Sequence, residues 1–117
     1  MLSLVVDDDP DIRAYIKQIL QGEGFETLEA EGGNAALGIV KMLSGGLDLI
    51  VTDIEMPEGD GLNFANTVRK VFPSVPIILV SARTRPDTVF EFVEKPFGFT
   101  TLTQAVRKSI ARASRTA

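Results

Sequence analysis

Five polar residues stand where apolar runs stop. Asp7 and Asp8 follow Leu2, Leu4, Val5 and Val6; Asp53 closes DLIVTD (48–53); Ser81 closes IILVS (77–81); Lys95 follows FEFVE (90–94). Short, nearly continuous apolar runs read as strands of a parallel sheet buried on both faces. The carboxyl ends of such strands share one rim, and α/β proteins bind their ligands there. Unit charges about 4 Å apart repel by roughly 4 kcal/mol at an effective dielectric of about 20. Three aspartates on one rim therefore suit a divalent cation, which turns repulsion into coordination. A hydroxyl and an ammonium beside them add groups that bind phosphoryl oxygens. Each residue alone has a plainer explanation, since strand-end aspartates start turns and lysines solvate surfaces. The convergence of all five on one rim favours a site.

The elements that must position them are legible from periodicity. Ile12, Tyr15, Ile16, Ile19 and Leu20 follow the spacing of one buried helical stripe, terminated by Gly22 and Gly24. Asp9 before Pro10 reads as an N-cap and first helical position, with Asp11 in the first turn where the helix dipole favours an anion. Residues 25–30 read as a short edge strand. A second helix is expected over about 34–43, with Ala36, Ile39, Val40 and Leu43 inward. A third carries Leu62, Ala65, Val68 and Phe72 and stops ahead of Pro73. Phe99, Leu102, Val106, Ile110 and Ala113 mark the inward face of a closing helix, whose Arg107, Lys108, Arg112 and Arg115 suit a C-terminal turn or a solvated face. Strands alternating with helices imply a doubly wound α/β domain on a parallel sheet.

Composition narrows the chemistry. The 117 residues are 44% apolar and 24% charged, which describes one globular domain and excludes a disordered chain. With no cysteine and no histidine, thiolate and imidazole chemistry are excluded and any metal must be hard and oxygen-bound. A net charge of -4 argues against direct nucleic-acid binding. No apolar run has the length of about 18 residues needed for a membrane span, so a cytoplasmic location is expected.

Four segments in order, VVDDDPDIR, DLIVTDIEMPEGDGL, IILVSA and FVEKPF, resemble the signatures of receiver domains of two-component response regulators, over about residues 2–113. The resemblance implies a CheY-like, flavodoxin-like sheet of five parallel strands in the order 2-1-3-4-5, forming a single receiver domain over 1–117 with no output domain in this chain. It implies that Asp53 is the phosphoacceptor, taking a phosphoryl group from the phosphohistidine of a sensor histidine kinase or histidine phosphotransfer protein. The chain would promote its own phosphorylation and dephosphorylation without being an enzyme in the ordinary sense. Asp7 and Asp8 would hold Mg²⁺ with Asp53 and the backbone carbonyl of Glu55. Lys95 would pair with a phosphoryl oxygen, and Ser81 would donate a hydrogen bond to another once Asp53 is modified. Phe92 matches the aromatic that reorients in the active state, although an apolar strand residue also reads as plain core. Glu55 and Arg83 occupy positions that tune phosphoryl lifetime, and we expect them to pair across the site and restrict attacking water. Lys95-Pro96 resembles a bond commonly cis in this family. In the MPEGDG turn, Gly59 and Gly61 permit backbone conformations closed to other residues.

The chain departs from the family between Ser81 and Phe90. Only ARTRPDTV lies there, where receivers place a full fourth helix. A parallel crossover with its helix takes at least about 10 to 12 residues, so an extended or single-turn crossover is expected, with Leu79 and Phe92 exposed for self-association or a partner unless a loop covers them. The downstream target is not named by the sequence. Two other classes fit parts of the pattern. One is a haloacid-dehalogenase-type magnesium phosphatase, which would want aspartate where Glu55 stands. The other is a docking module that kept the fold and lost switching.

Overall fold

The computed structural model describes residues 1–57, 60–83 and 88–116. Among these, strands and helices alternate as β1 (Leu2–Val6), α1 (Pro10–Gly22), β2 (Glu26–Ala30), α2 (Gly33–Met42), β3 (Leu49–Asp53), α3 (Gly61–Val71), β4 (Ile77–Ser81), β5 (Glu91–Glu94) and α4 (Phe99–Thr116). The strands form one sheet in the order β2-β1-β3-β4-β5, with every neighbouring pair parallel. β3 and β4 are buried at all five positions, as their unbroken apolar runs require, while the more polar β2 takes an edge.

Period-two alternation divides the core into two layers. Leu4, Val6, Ile50 and Leu79 face one way and pack with Ala36, Val40, Phe64 and Val68 of α2 and α3. Val5, Leu49, Val51, Ile78 and Val80 face the other, against Ile16, Ile19 and Leu20 of α1 and Leu102 and Val106 of α4. The start of α1 is capped as its sequence implies: the Asp9 side chain accepts from the amides of Asp11 and Ile12, and Pro10 opens the helix. Its end lies at Gly22, and Gly24 turns the chain with φ +91°, a conformation that costs glycine nothing.

Several expectations need correction. Tyr15 is not in the buried stripe: it is 38% exposed and stacks on Phe97, with ring centroids 5.8 Å apart. Phe99 opens α4 at 55% exposure, because the first residue of a helix projects beyond the sheet it packs on. The sheet face at Leu79 is not open. Leu79 is fully buried, and Phe92 is half-buried against the same cluster, joined by buried Phe90. Phe90 at the end of the crossover and Phe92 of β5 thus join Phe64, Ala65 and Val68 of α3 in covering this part of the layer. Gly61 is wanted for closeness and not for an unusual φ: a Cβ there would lie 1.7 Å from the carbonyl oxygen of Asp53. The shortened crossover and Gly59 fall partly or wholly outside the described residues. What is described is that Ala82, Arg83 and residues 88–90 are not helical and that β5 returns parallel to β4.

Candidate functional site

Register decides which side chains meet. Val6 pairs with Thr52, so the next residues, Asp7 just beyond β1 and Asp53 at the end of β3, stand side by side. Ser81 pairs with Glu94, and the Lys95 amide donates to the Ser81 carbonyl at 2.8 Å, which delivers Lys95 to the same rim. The Lys95-Pro96 peptide is cis. All five residues singled out by their positions at strand ends therefore lie on one edge of the sheet.

Asp7 and Asp53 are buried and Asp8 is exposed, and each offers a carboxylate oxygen within 4.8 Å of the others. The Lys95 ammonium lies 3.2 Å from Asp7 Oδ2 and 3.3 Å from Asp53 Oδ1. Burial, followed by the Asp7 charge, pushes the Asp53 carboxyl up to about 6 from 3.8, and Lys95 opposes them only in part. Burial acts to lower the Lys95 pKa, but Asp53 and Asp7 outweigh it and leave it raised, so this lysine is charged at neutral pH. One ammonium against two buried carboxylates leaves an excess of negative charge. The all-oxygen donor set and this excess fit a small hard cation.

The backbone around these groups is fixed by contacts that spacing did not reveal. Arg13 Nη1 donates to the Asp7 carbonyl at 2.9 Å while its Nε meets Glu29 Oε1 at 3.1 Å, tying the β1–α1 turn to β2. Glu29 is shared with Lys17 at 3.2 Å, and its carboxyl is held below the usual range chiefly by that lysine. Asp7 Oδ1 accepts from the Asp9 amide at 2.9 Å, which orients the carboxylate. On the other side, the Thr52 hydroxyl donates to the Asp53 carbonyl and the Gly61 amide donates to the Ile54 carbonyl, both at 2.9 Å. Arg13 had a visible signal, a lone arginine on the first turns of α1. Only the fold shows that it turns back to Asp7.

Ser81 does not stand free. Its Oγ donates to Glu55 Oε1 in a short bond of 2.5 Å and accepts from the Arg83 amide at 3.0 Å. Glu55 and Arg83 approach each other as expected, with Nε 3.7 Å from Oε1, but the guanidinium is 82% exposed and the contact is loose. Phe92 lies apart from these groups, on the layer that faces α3.

The sequence matches the response regulator receiver domain family over residues 3–107. The chain belongs to that family. This receiver is 32% identical to the chemotaxis protein CheY of Bacillus subtilis over 115 residues, covering 92% of the chain and 95% of CheY. It is 34% identical to the sensor kinase CckA of Brucella abortus over 117 residues, 93% of this receiver. The chain spans only 12% of CckA, and 52% of the transcriptional regulatory protein KdpE of Escherichia coli. Among solved structures, the response regulator protein TrrA of Thermotoga maritima in complex with Mg(2+)-BeF superposes with a TM-score of 0.82 at 42% identity, covering 92% of this receiver and 97% of TrrA. TrrA also has a structure in complex with the histidine kinase ThkA, with a TM-score of 0.79 at 40% identity over 93% of this chain and 97% of that one.

Proposed function

We propose that this receiver takes a phosphoryl group onto Asp53 from a phosphohistidine on a sensor histidine kinase or histidine phosphotransfer protein, and that the modified form binds a downstream protein differently. The observation that carries the reading is the meeting of Asp7, Asp8, Asp53 and Lys95 at one rim. An Asp53 carboxylate oxygen attacks phosphorus, the phosphorus–nitrogen bond to the imidazole breaks, and the imidazole leaves with the electron pair. Asp53 is a weak nucleophile, so the gain comes from alignment and charge neutralisation. Asp7, Asp8, Asp53 and the Glu55 carbonyl are the groups that would hold Mg²⁺, which supplies neutralisation of the charge on the transferring oxygens. Lys95 is 19% exposed and already lies between two carboxylates, from where it pairs with a phosphoryl oxygen. Ser81 is buried beside the site and donates to another. Support for a kinase as donor comes from relatives: CckA is a sensor kinase, and TrrA is found with ThkA.

The reading extends to a reduced crossover between β4 and β5, in which residues 82–89 carry the chain back without a full helix. The eight residues available and the parallel return of β5 support it. Among the described residues no helix is long and apolar enough to cross a membrane, which is consistent with work in the cytoplasm. Acetyl phosphate with Mg²⁺ should add one phosphoryl group to the wild type by intact mass and none to Asp53→Asn. Labelling of Asp53→Asn at the wild-type rate would sink the assignment.

A further inference from the structure

In the unmodified protein the Ser81 hydroxyl is committed elsewhere. Its proton goes to Glu55 Oε1 in the shortest hydrogen bond described for this site, and its lone pair receives the Arg83 amide at 3.0 Å. A hydroxyl has one proton to give. Donation to a phosphoryl oxygen on Asp53 therefore requires that the bond to Glu55 be broken first. We propose that Glu55 is a built-in competitor for Ser81, a latch that holds the unmodified arrangement and sets how much phosphoryl binding is needed to leave it.

Three further features suit a latch that can release. Glu55 Oε2 is buried with no hydrogen-bond partner among the described residues, so one oxygen is held while the other gains from reaching water. The Arg83 guanidinium is largely in solvent and 3.7 Å away, too loose to pin the carboxylate. A phosphoryl group on Asp53 adds negative charge two residues from Glu55 and repels it as it attracts the hydroxyl. Ser81 then exchanges one anionic acceptor for another, and the Arg83 amide that follows it carries the change into the segment after β4. Glu55 acts here through Ser81 and is a positioning residue.

The inference rests on the phosphoacceptor reading, and a double-mutant cycle separates the two. Beryllium fluoride with Mg²⁺ serves as the phosphoryl mimic, and the amide resonance of Arg83 reports half-saturation in the wild type, Glu55→Ala, Ser81→Ala and the double variant. Glu55→Ala removes both charge and latch, whereas in the Ser81→Ala background it removes charge alone. The latch predicts that Glu55→Ala lowers the half-saturating concentration by roughly ten-fold more when Ser81 is present, the scale expected for a hydrogen bond to a charged group. Equal fold-changes in the two backgrounds, or none in either, would overturn it while leaving the phosphoacceptor reading intact. A wild type that never responds to the mimic overturns both. Glu55→Gln, which keeps an acceptor without the charge, should fall between wild type and Glu55→Ala.

Discussion

The Asp53 carboxyl illustrates how burying an ionisable group costs stability. Its pKa near 6 in the folded chain, against 3.8 unfolded, means that between those pH values the folded state keeps a proton the unfolded state has released. Unfolding free energy of the metal-free protein should accordingly fall as pH rises from about 4 to about 6 and level off above, by at most about 3 kcal/mol. Urea denaturation in chelator across that range checks the sign, and a rising curve would contradict it. Asp53→Asn removes the titration, so that variant should be the more stable at pH 7 and should lack this component of the slope. Gly61 sets a steric limit on the same residue. A Cβ 1.7 Å from the Asp53 carbonyl forces β3 or α3 to move, and Gly61→Ala should cost about 1–3 kcal/mol and reduce phosphorylation of Asp53. A fully stable, fully reactive Gly61→Ala would show that the junction yields freely.

At the scale of elements, β4 and the β1–α1 turn make different demands. Leu79 is fully buried although no helix was expected above it, so Leu79→Ala should destabilise by about 2–5 kcal/mol. Val89, 70% exposed on the crossover to β5, should tolerate alanine within about 0.5 kcal/mol. A comparison of urea midpoints tests whether Phe90 and Phe92 close this layer as described. The β1–α1 turn depends on Arg13, whose planar fork reaches the Asp7 carbonyl and Glu29 together. Arg13→Ala should weaken Mg²⁺ binding by several-fold in calorimetry, as loss of supporting contacts does at other metal sites by about 10- to 100-fold. Arg13→Lys, a point charge on a flexible stem, should restore only part of that affinity.

Over the whole molecule, the rim is where side chains from separate strands of the sheet meet. Asp7 comes from one side of the sheet's centre and Lys95 from the far strand, so ligands at the rim bear on both β1 and β5. A cation bound by the folded chain and not by the unfolded one must stabilise the fold. Because Asp53 keeps its proton below about pH 6, Mg²⁺ should raise the melting temperature more at pH 7 than at pH 5. Scanning calorimetry at the two pH values gives the comparison, and an equal rise would mean that Asp53 is no ligand. Away from the site residues, Tyr15 of α1 stacks on Phe97 just ahead of α4, and Arg107 of α4 pairs with Glu23 at the C-terminal cap of α1.

By itself the sequence determined the alternation of elements, the burial of β3 and β4, the cap on α1 and the set of residues at the strand ends. These follow from local periodicity and from backbone groups that neighbouring residues satisfy. Contacts across long separations were decided only by tertiary structure. Lys95 meets Asp7 across 88 positions and Ser81 meets Glu55 across 26, and nothing in either segment alone states those partners. Tyr15, placed on the buried stripe by spacing, is instead partly exposed and stacks on Phe97, a partner 82 residues away that its own segment does not announce. Gly61 looked like a turn residue because its type suits turns, whereas its need comes from a carbonyl that β3 brings against α3. Periodicity tells which side of an element is buried, and only the assembled layers tell what each buried group then touches.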